Sequence, residues 1–281
     1  MLYSEKVGGM LKSKNDMEIK PVEVSDVSAL SHLQPAGWVN IMPVFDFYVN
    51  SSSCFPIKVM MDNKIVGLGT TIIHSDVAWL GHIIVDSDYR CRGIGSRITR
   101  TLIEISEKYR CSTIYLIATE LGEFVYKKIG FVTETEYLVH TDVRKKDWVI
   151  SDHIYPYEHR YREEIRKLDK QISGEDRMIH LEEHFKSGRI YYSNNRLEGY
   201  YMPTWGEGLI IASTEKGGIE LLKAHLKNKE RVVIPQNNHI ARRFLQETGV
   251  GEVKAIKRMR LGSERQVHFF NIYNRIGGNL G

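Results

Sequence analysis

The sequence predicts an α/β (α+β) fold in two successive domains. Each is a mixed, mainly antiparallel sheet with a parallel β-α-β crossover and flanking helices. Three observations carry this. Residues 57–61, 65–74 and 77–85 are short β-branched runs joined by tight turns, which reads as an antiparallel meander. The last run passes through a glycine-rich turn into an amphipathic helix and then another apolar run, a unit that closes as a right-handed parallel crossover. The second half echoes the strand-to-helix junctions of the first, and 281 residues suit two domains.

Taken in order, residues 1–16 predict a flexible lead-in, and 17–24 alternate as a first strand. Ser25 is the expected N-cap of a helix running to about Leu33. Residues 34–50 are irregular and aromatic, with Trp38, Phe45, Phe47 and Tyr48, and Pro43 suits the first turn of a second helix. The meander turns at Asp62-Asn63-Lys64 and Ser75-Asp76. Ile94, Ile98, Leu102, Ile105 and Tyr109 recur at helical spacing over 95–109. The run 113–119 is apolar on both faces, as a covered strand should be. A short helix ends at Gly130-Phe131, 132–140 is a strand, and 141–151 is a polar linker. The domains are therefore expected at 17–145 and 152–281. In the second, helices are expected near 157–168, 176–185, 215–226 and 239–248, and strands at 189–193, 199–202, 209–212, 231–234 and 253–261.

Composition removes several classes. With 42% hydrophobic and 26% charged residues the chain is globular, and no apolar run is long enough to span a bilayer. Three cysteines form neither a disulfide framework nor a metal pattern, which fits a reducing cytoplasm. The eleven histidines fall in no ligand spacing, so no metal is expected. The net charge of +4 is mild, and no basic block interleaves with aromatics, so no nucleic-acid partner is expected. The densest basic group, Lys254, Lys257, Arg258 and Arg260, reads as a solvated strand face. A homodimer is left open.

The turn Arg90-Cys91-Arg92-Gly93-Ile94-Gly95-Ser96 carries the chemistry. A helix N-terminus presents backbone N–H groups without partners and about half a positive charge. Glycines let a phosphate approach such a backbone closely. No Gly-Lys-Ser/Thr follows, so this is not a P-loop, and the third glycine and ribose-binding acid of the dinucleotide fingerprint are missing. What remains is a diphosphate held mainly by backbone amides.

Arg90, Gly93 and Gly95, spaced Arg-x-x-Gly-x-Gly, resemble the acetyl-CoA diphosphate loop of the GCN5-related N-acetyltransferases (GNAT). A second element, Leu116-Ile-Ala-Thr-Glu-Leu-Gly-Glu-Phe-Val-Tyr126-Lys-Lys-Ile-Gly130-Phe131, follows in the family's order and at about its separation. The whole chain resembles the tandem type with a diverged C-terminal domain, including its closing segment 273–281. In the second half Leu245 stands where Tyr126 stands in the first, and the junction at Gly217-Gly218 lacks the arginines, so that copy looks degenerate.

The resemblance implies acetyl transfer from acetyl-CoA to a primary amine of a small molecule or peptide. It implies that the two parallel strands splay and that the pantetheine arm pairs with the backbone of Ile83, Ile84 and Val85. The loop from Arg90 to Ser96 would hold the diphosphate, and Thr119 would reach the pantetheine. Tyr126, four residues before Gly130, would be the general acid. Glu120, His82 and Glu123 compete as base, Glu120 first, and a water chain is an alternative. Trp38, Asn40 and His82 are the residues expected to line the acceptor pocket. An acyltransferase for longer acyl-CoA and a non-enzymatic acyl-CoA sensor are the competing readings.

Overall fold

The computed structural model describes residues 17–141 and 147–281; the expected lead-in 1–16 and linker residues 142–146 lie outside the described residues. The first half runs β1 (Glu18–Pro21), a 3-10 segment (Val24–Leu33), α1 (Ile41–Asn50), β2 (Cys54–Met61), β3 (Lys64–His74), β4 (Val77–Val85), α2 (Ile94–Lys108), β5 (Thr113–Ala118), α3 (Glu120–Ile129) and β6 (Val132–His140). The second runs β7 (Ile154–Pro156), α4 (Arg162–Ser173), α5 (Met178–Leu181), β8 (Arg189–Ser193), β9 (Arg196–Met202), β10 (Leu209–Ala212), α6 (Glu215–Leu226), β11 (Val232–Pro235), α7 (His239–Glu247), β12 (Lys254–Gly262) and β13 (Ile272–Asn274).

The meander and crossover are present. β2, β3 and β4 pair antiparallel, β4 and β5 parallel. The β2–β3 turn uses Asp62 and Asn63 with φ of 49° and 62°, the left-handed pair a tight hairpin needs. The first helix differs from expectation: it is a 3-10 segment starting at Val24, capped by Glu23 and Asp26 reciprocally and not by Ser25.

One sheet has the order β1-β2-β3-β4-β5-β12-β6-β11, the other β13-β10-β9-β8-β7. Strand 253–261, expected to complete the second copy, is β12, and it lies between β5 and β6, antiparallel to both. β11 adds to β6. The two halves thus share a sheet across the boundary that the sequence suggests. This pairing has no local signature, because the partners lie 92 or more residues apart.

Placing β12 there overturns the solvated reading for Arg258, while Lys254 stays exposed and Lys257 and Arg260 are half-buried. Arg258 is 3% exposed, its guanidinium 4.0 Å from the Tyr115 ring centre and 4.9 Å from that of Trp79. Its Nε donates to Glu134 at 3.0 Å, and Glu175 stands 3.7 Å away. A buried cation needs such carboxylates, since unpaired it would cost several kcal/mol.

The large sheet is covered on both faces. Ile94, Ile98 and Leu102 of α2 pack with Tyr126, Phe131 and Leu116 in one core. Leu30, Ile41, Phe45 and Tyr48 pack with Trp79, Tyr115 and α4 residues Ile165 and Leu168 in another.

Candidate active site

β4 and β5 pair only from Val77–Leu80 with Thr113–Leu116. β5 pairs with β12 along its other edge throughout, so beyond Leu116 its residues Ile117 and Ala118 keep β12 alone, while β4 from Gly81 to Val85 keeps β3 alone. A wedge therefore opens between the strands, with one backbone edge of β4 free toward it. Its cause is a bulge: Leu68 and Thr70 on β3 face Ile84 and Gly81 on β4, so β4 carries one extra residue. His82 sits in that bulge with φ of 50°, a left-handed conformation uncommon for non-glycine residues outside turns.

The chain then enters the glycine turn. Asp86 caps a short 3-10 turn through Asp88 N–H. Arg90 Nε donates to the Val85 carbonyl at 3.3 Å, and Arg92 Nη2 donates to the Asp88 carbonyl at 3.0 Å. Both guanidinium groups thus brace the loop while adding charge to it. Cys91 (φ 60°) and Gly93 (φ 78°) are left-handed, which curls successive N–H groups into a concave anion nest. No acceptor among the described residues takes the N–H groups from Cys91 to Ser96. A Cβ at Gly93 would meet nothing within 4 Å, and one at Gly95 only Val85 Cγ2 at 3.7 Å. An open, donor-rich cradle at a helix N-terminus fits a diphosphate, and the free edge of β4 fits an amide-bearing arm.

Thr119 caps α3 by accepting from Gly122 N–H at 3.3 Å. Tyr126 lies one turn on, its ring folded over Gly122, where a Cβ would stand 2.7 Å from the ring. Gly122 is thus a site residue that the sequence did not flag. Tyr126 is 7% exposed, and burial pushes its pKa up to about 12, so the phenol stays protonated at neutral pH. Glu123 is engaged by Lys127 and Lys257, which hold it below the usual carboxylate range; this ion-paired group is a poor base. Glu120 is exposed in the first turn of α3 and makes no ion pair among the described residues.

His82 faces the α1 side. Its Nδ1 lies 3.0 Å from the Tyr48 hydroxyl, and Trp38, Phe45 and Tyr48 surround the ring at 5.5 to 5.9 Å between centres. Burial pulls its pKa down to about 4, so the imidazole is neutral at pH 7. Trp38 is half-exposed at the rim, whereas Asn40 uses its side-chain oxygen to cap α1 at Met42 N–H. Tyr48 also takes a hydrogen bond from Asn279 Nδ2 at 2.6 Å. Sequence reading passed over Tyr48 as core and gave no signal for Asn279, 231 residues distant.

Residues 27–131 match the sequence model of the acetyltransferase (GNAT) family. That match covers 105 of the 281 residues, and over it the chain is similar to the GNAT acetyltransferases. The solved structures agree on the fold over most of the chain. One is a Pyrococcus horikoshii protein assigned as an acetyltransferase, 21% identical, covering 99% of this chain and 100% of its own at a TM-score of 0.81. Another is a tandem GNAT protein from the clavulanic acid biosynthesis pathway, 12% identical, covering 89% of this chain and 100% of its own at 0.58. A third is a GCN5-related N-acetyltransferase from Anabaena variabilis, 10% identical, covering 87% and 72% at 0.53. GNAT enzymes move an acyl group from acyl-CoA, with acetyl-CoA as the family's co-substrate, onto amines. No helix among the described residues is long and apolar enough to cross a membrane.

Proposed function

We propose that the chain transfers an acetyl group from acetyl-CoA to a primary amine of a small molecule or peptide, by direct attack on the thioester, and that residues 17–145 carry this chemistry. The observation behind it is the convergence of the open donor cradle at Cys91–Ser96, the wedge along Gly81–Val85 and the buried phenol of Tyr126 on one end of the β4–β5 pair.

The roles follow from the groups. Backbone N–H groups of the cradle, with Arg90 and Arg92, bind the diphosphate. The edge of Ile83, Ile84 and Val85 binds the pantetheine, and an N–H there stabilises the charge that develops on the carbonyl oxygen. An alkylamine is only about one part in a thousand neutral at pH 7.4. Glu120, exposed on the first turn of α3, takes the amine's proton through water, while Tyr126 gives its proton to the departing thiolate. The phenol suits that task because burial keeps it protonated.

Turnover of acetyl-CoA with a panel of polyamines, amino acids, aminoglycosides and peptides tests this reading. Free thiol released in step with N-acetylated product supports it. Turnover only with longer acyl-CoA overturns the acetyl assignment, and thiol release without an acylated amine overturns the acceptor assignment.

A further inference from the structure

Residues 276–281 come from the half that lacks the cradle, yet they lie on β4. They close on themselves: Ile276 N–H donates to the Gly281 carbonyl at 2.7 Å, and Gly281 N–H to that of Gly277 at 3.1 Å. Glu207 N–H holds the Ile276 carbonyl at 2.6 Å. Gly281 lies against the Trp79 ring, and Asn279 lies over Gly81, where a Cβ would come within 2.7 Å of Asn279 Cβ. This double seat on β4 fixes the Asn279 amide beside Tyr48.

We propose that segment 276–281 completes the acceptor side of the site: Asn279, acting through Tyr48, holds His82 as the neutral Nε2–H tautomer, so that His82 meets the amine substrate as a hydrogen-bond donor and not as a base. This rests on the acetyltransferase reading above.

The direction of the chain follows from hydrogen count. Asn279 Nδ2 has only hydrogens to offer, so the Tyr48 oxygen accepts. Burial pushes the Tyr48 hydroxyl far above its ordinary pKa, so it keeps its proton. That proton has one remaining partner, His82 Nδ1 at 3.0 Å. With Nδ1 accepting, a neutral imidazole carries its hydrogen on Nε2. Nε2 has no protein partner among the described residues and is not among the enclosed polar atoms, so its N–H is available to a ligand. Asn279 and Tyr48 are positioning residues, and His82 is the group that touches substrate.

The test combines kinetics with histidine 15N spectra of the full chain, the His82 signals being those missing in His82→Gln. Removing one hydrogen bond to substrate raises the amine KM about tenfold. Asn279→Ala and Tyr48→Phe are each expected to do so, with kcat changed less than about threefold and the acetyl-CoA KM unchanged. The double variant is expected to be no worse than Tyr48→Phe alone, because both cut one chain. Asn279→Asp keeps the shape but accepts the Tyr48 proton, so the His82 spectrum is expected to switch to the Nδ1–H form. Gly251→Ala, exposed, outside segment 276–281 and with nothing within 4 Å of its Cβ, is the control expected to change nothing.

An unchanged amine KM in both single variants overturns the proposal, as do additive losses in the double variant. If the wild-type protein acylates no amine, the acetyltransferase reading fails. The spectra then decide the tautomer lock by themselves: a switch in Asn279→Asp supports it, and an unaltered spectrum overturns it.

Discussion

At the end of β4 the chain turns into α2 around Gly93 and Gly95; at the end of β10 it turns into α6 around Gly217 and Gly218. In the first turn a Cβ on either glycine would meet at most Val85 Cγ2 at 3.7 Å, and the helix-start N–H groups have no acceptor among the described residues. In the second, Thr214 accepts from Gly217 N–H at 3.2 Å, and the Tyr273 ring lies where a Cβ on Gly218 would be, 2.1 Å away. The strands differ too. β4 and β5 part to leave a wedge. Between β10 and β11 runs β13, paired with β10 and joined to β11 by Arg275 N–H to the Val233 carbonyl at 3.1 Å and by Asn274 Oδ1, which accepts from Val233 N–H at 2.8 Å. The chain has filled its second slot with its own strand. The histidines match this pattern. His225 has both nitrogens occupied, by the Tyr201 hydroxyl and the Arg231 carbonyl, whereas His82 Nε2 has no partner among the described residues. A shared local motif therefore becomes an open cradle or a packing joint according to what the rest of the chain places over it.

The largest effect should come from closing the open turn. Gly93→Asp together with Gly95→Glu adds two negative charges and strains a residue with φ of 78°, and should weaken acetyl-CoA binding about a thousand-fold, roughly 4 kcal/mol, in a calorimetric titration. Binding within about threefold of wild type would erase the contrast between the two turns.

Tyr126 and its counterpart Leu245 should separate cleanly. Tyr126→Phe should lower kcat about ten- to a thousand-fold with little change in stability. Leu245, fully buried, should behave as core: Leu245→Ala should cost about 2–5 kcal/mol in denaturant unfolding while the folded fraction keeps its kcat. If Tyr126→Phe leaves kcat intact with chemistry rate-limiting, the phenol is packing as well.

A smaller effect belongs to the closed turn. Gly218→Ala forces a methyl into the Tyr273 ring and should cost about 1–3 kcal/mol of stability, with acetyl-CoA affinity unchanged. A last effect is shared by both halves and needs no substitution. Burial pulls His82 and His225 from 6.5 down to about 4. The unfolded chain therefore binds protons first as pH falls. Stability should be flat above pH 6.5 and decline from there toward pH 4 in thermal melts, and a melt that rises over that range would contradict the burial of both rings.

The first half of the fold was legible because its signals are local. Alternation, tight turns and the helical repeat of Ile94, Ile98 and Leu102 each act within a few residues, and Arg90, Gly93, Gly95 and Tyr126 carry a recognisable spacing. Asn40 has a local role that was also legible: Asn beside an apolar run suits a helix cap, and here it caps α1 at Met42 N–H. Glu123 could not be set aside without knowing that Lys257 reaches it from β12. Arg258 could not be recognised as buried without β12 lying over Trp79 and Tyr115.

By itself the sequence determined the crossover, the donor-rich turn and the phenol four residues before Gly130, because backbone geometry and short-range hydrogen bonding decide these. Only the tertiary structure decided which slot stays open and what faces the acceptor. Those outcomes depend on β12, β13 and Asn279, whose contacts span most of the chain. Such pairings are fixed by global packing, and no local pattern of residues encodes them.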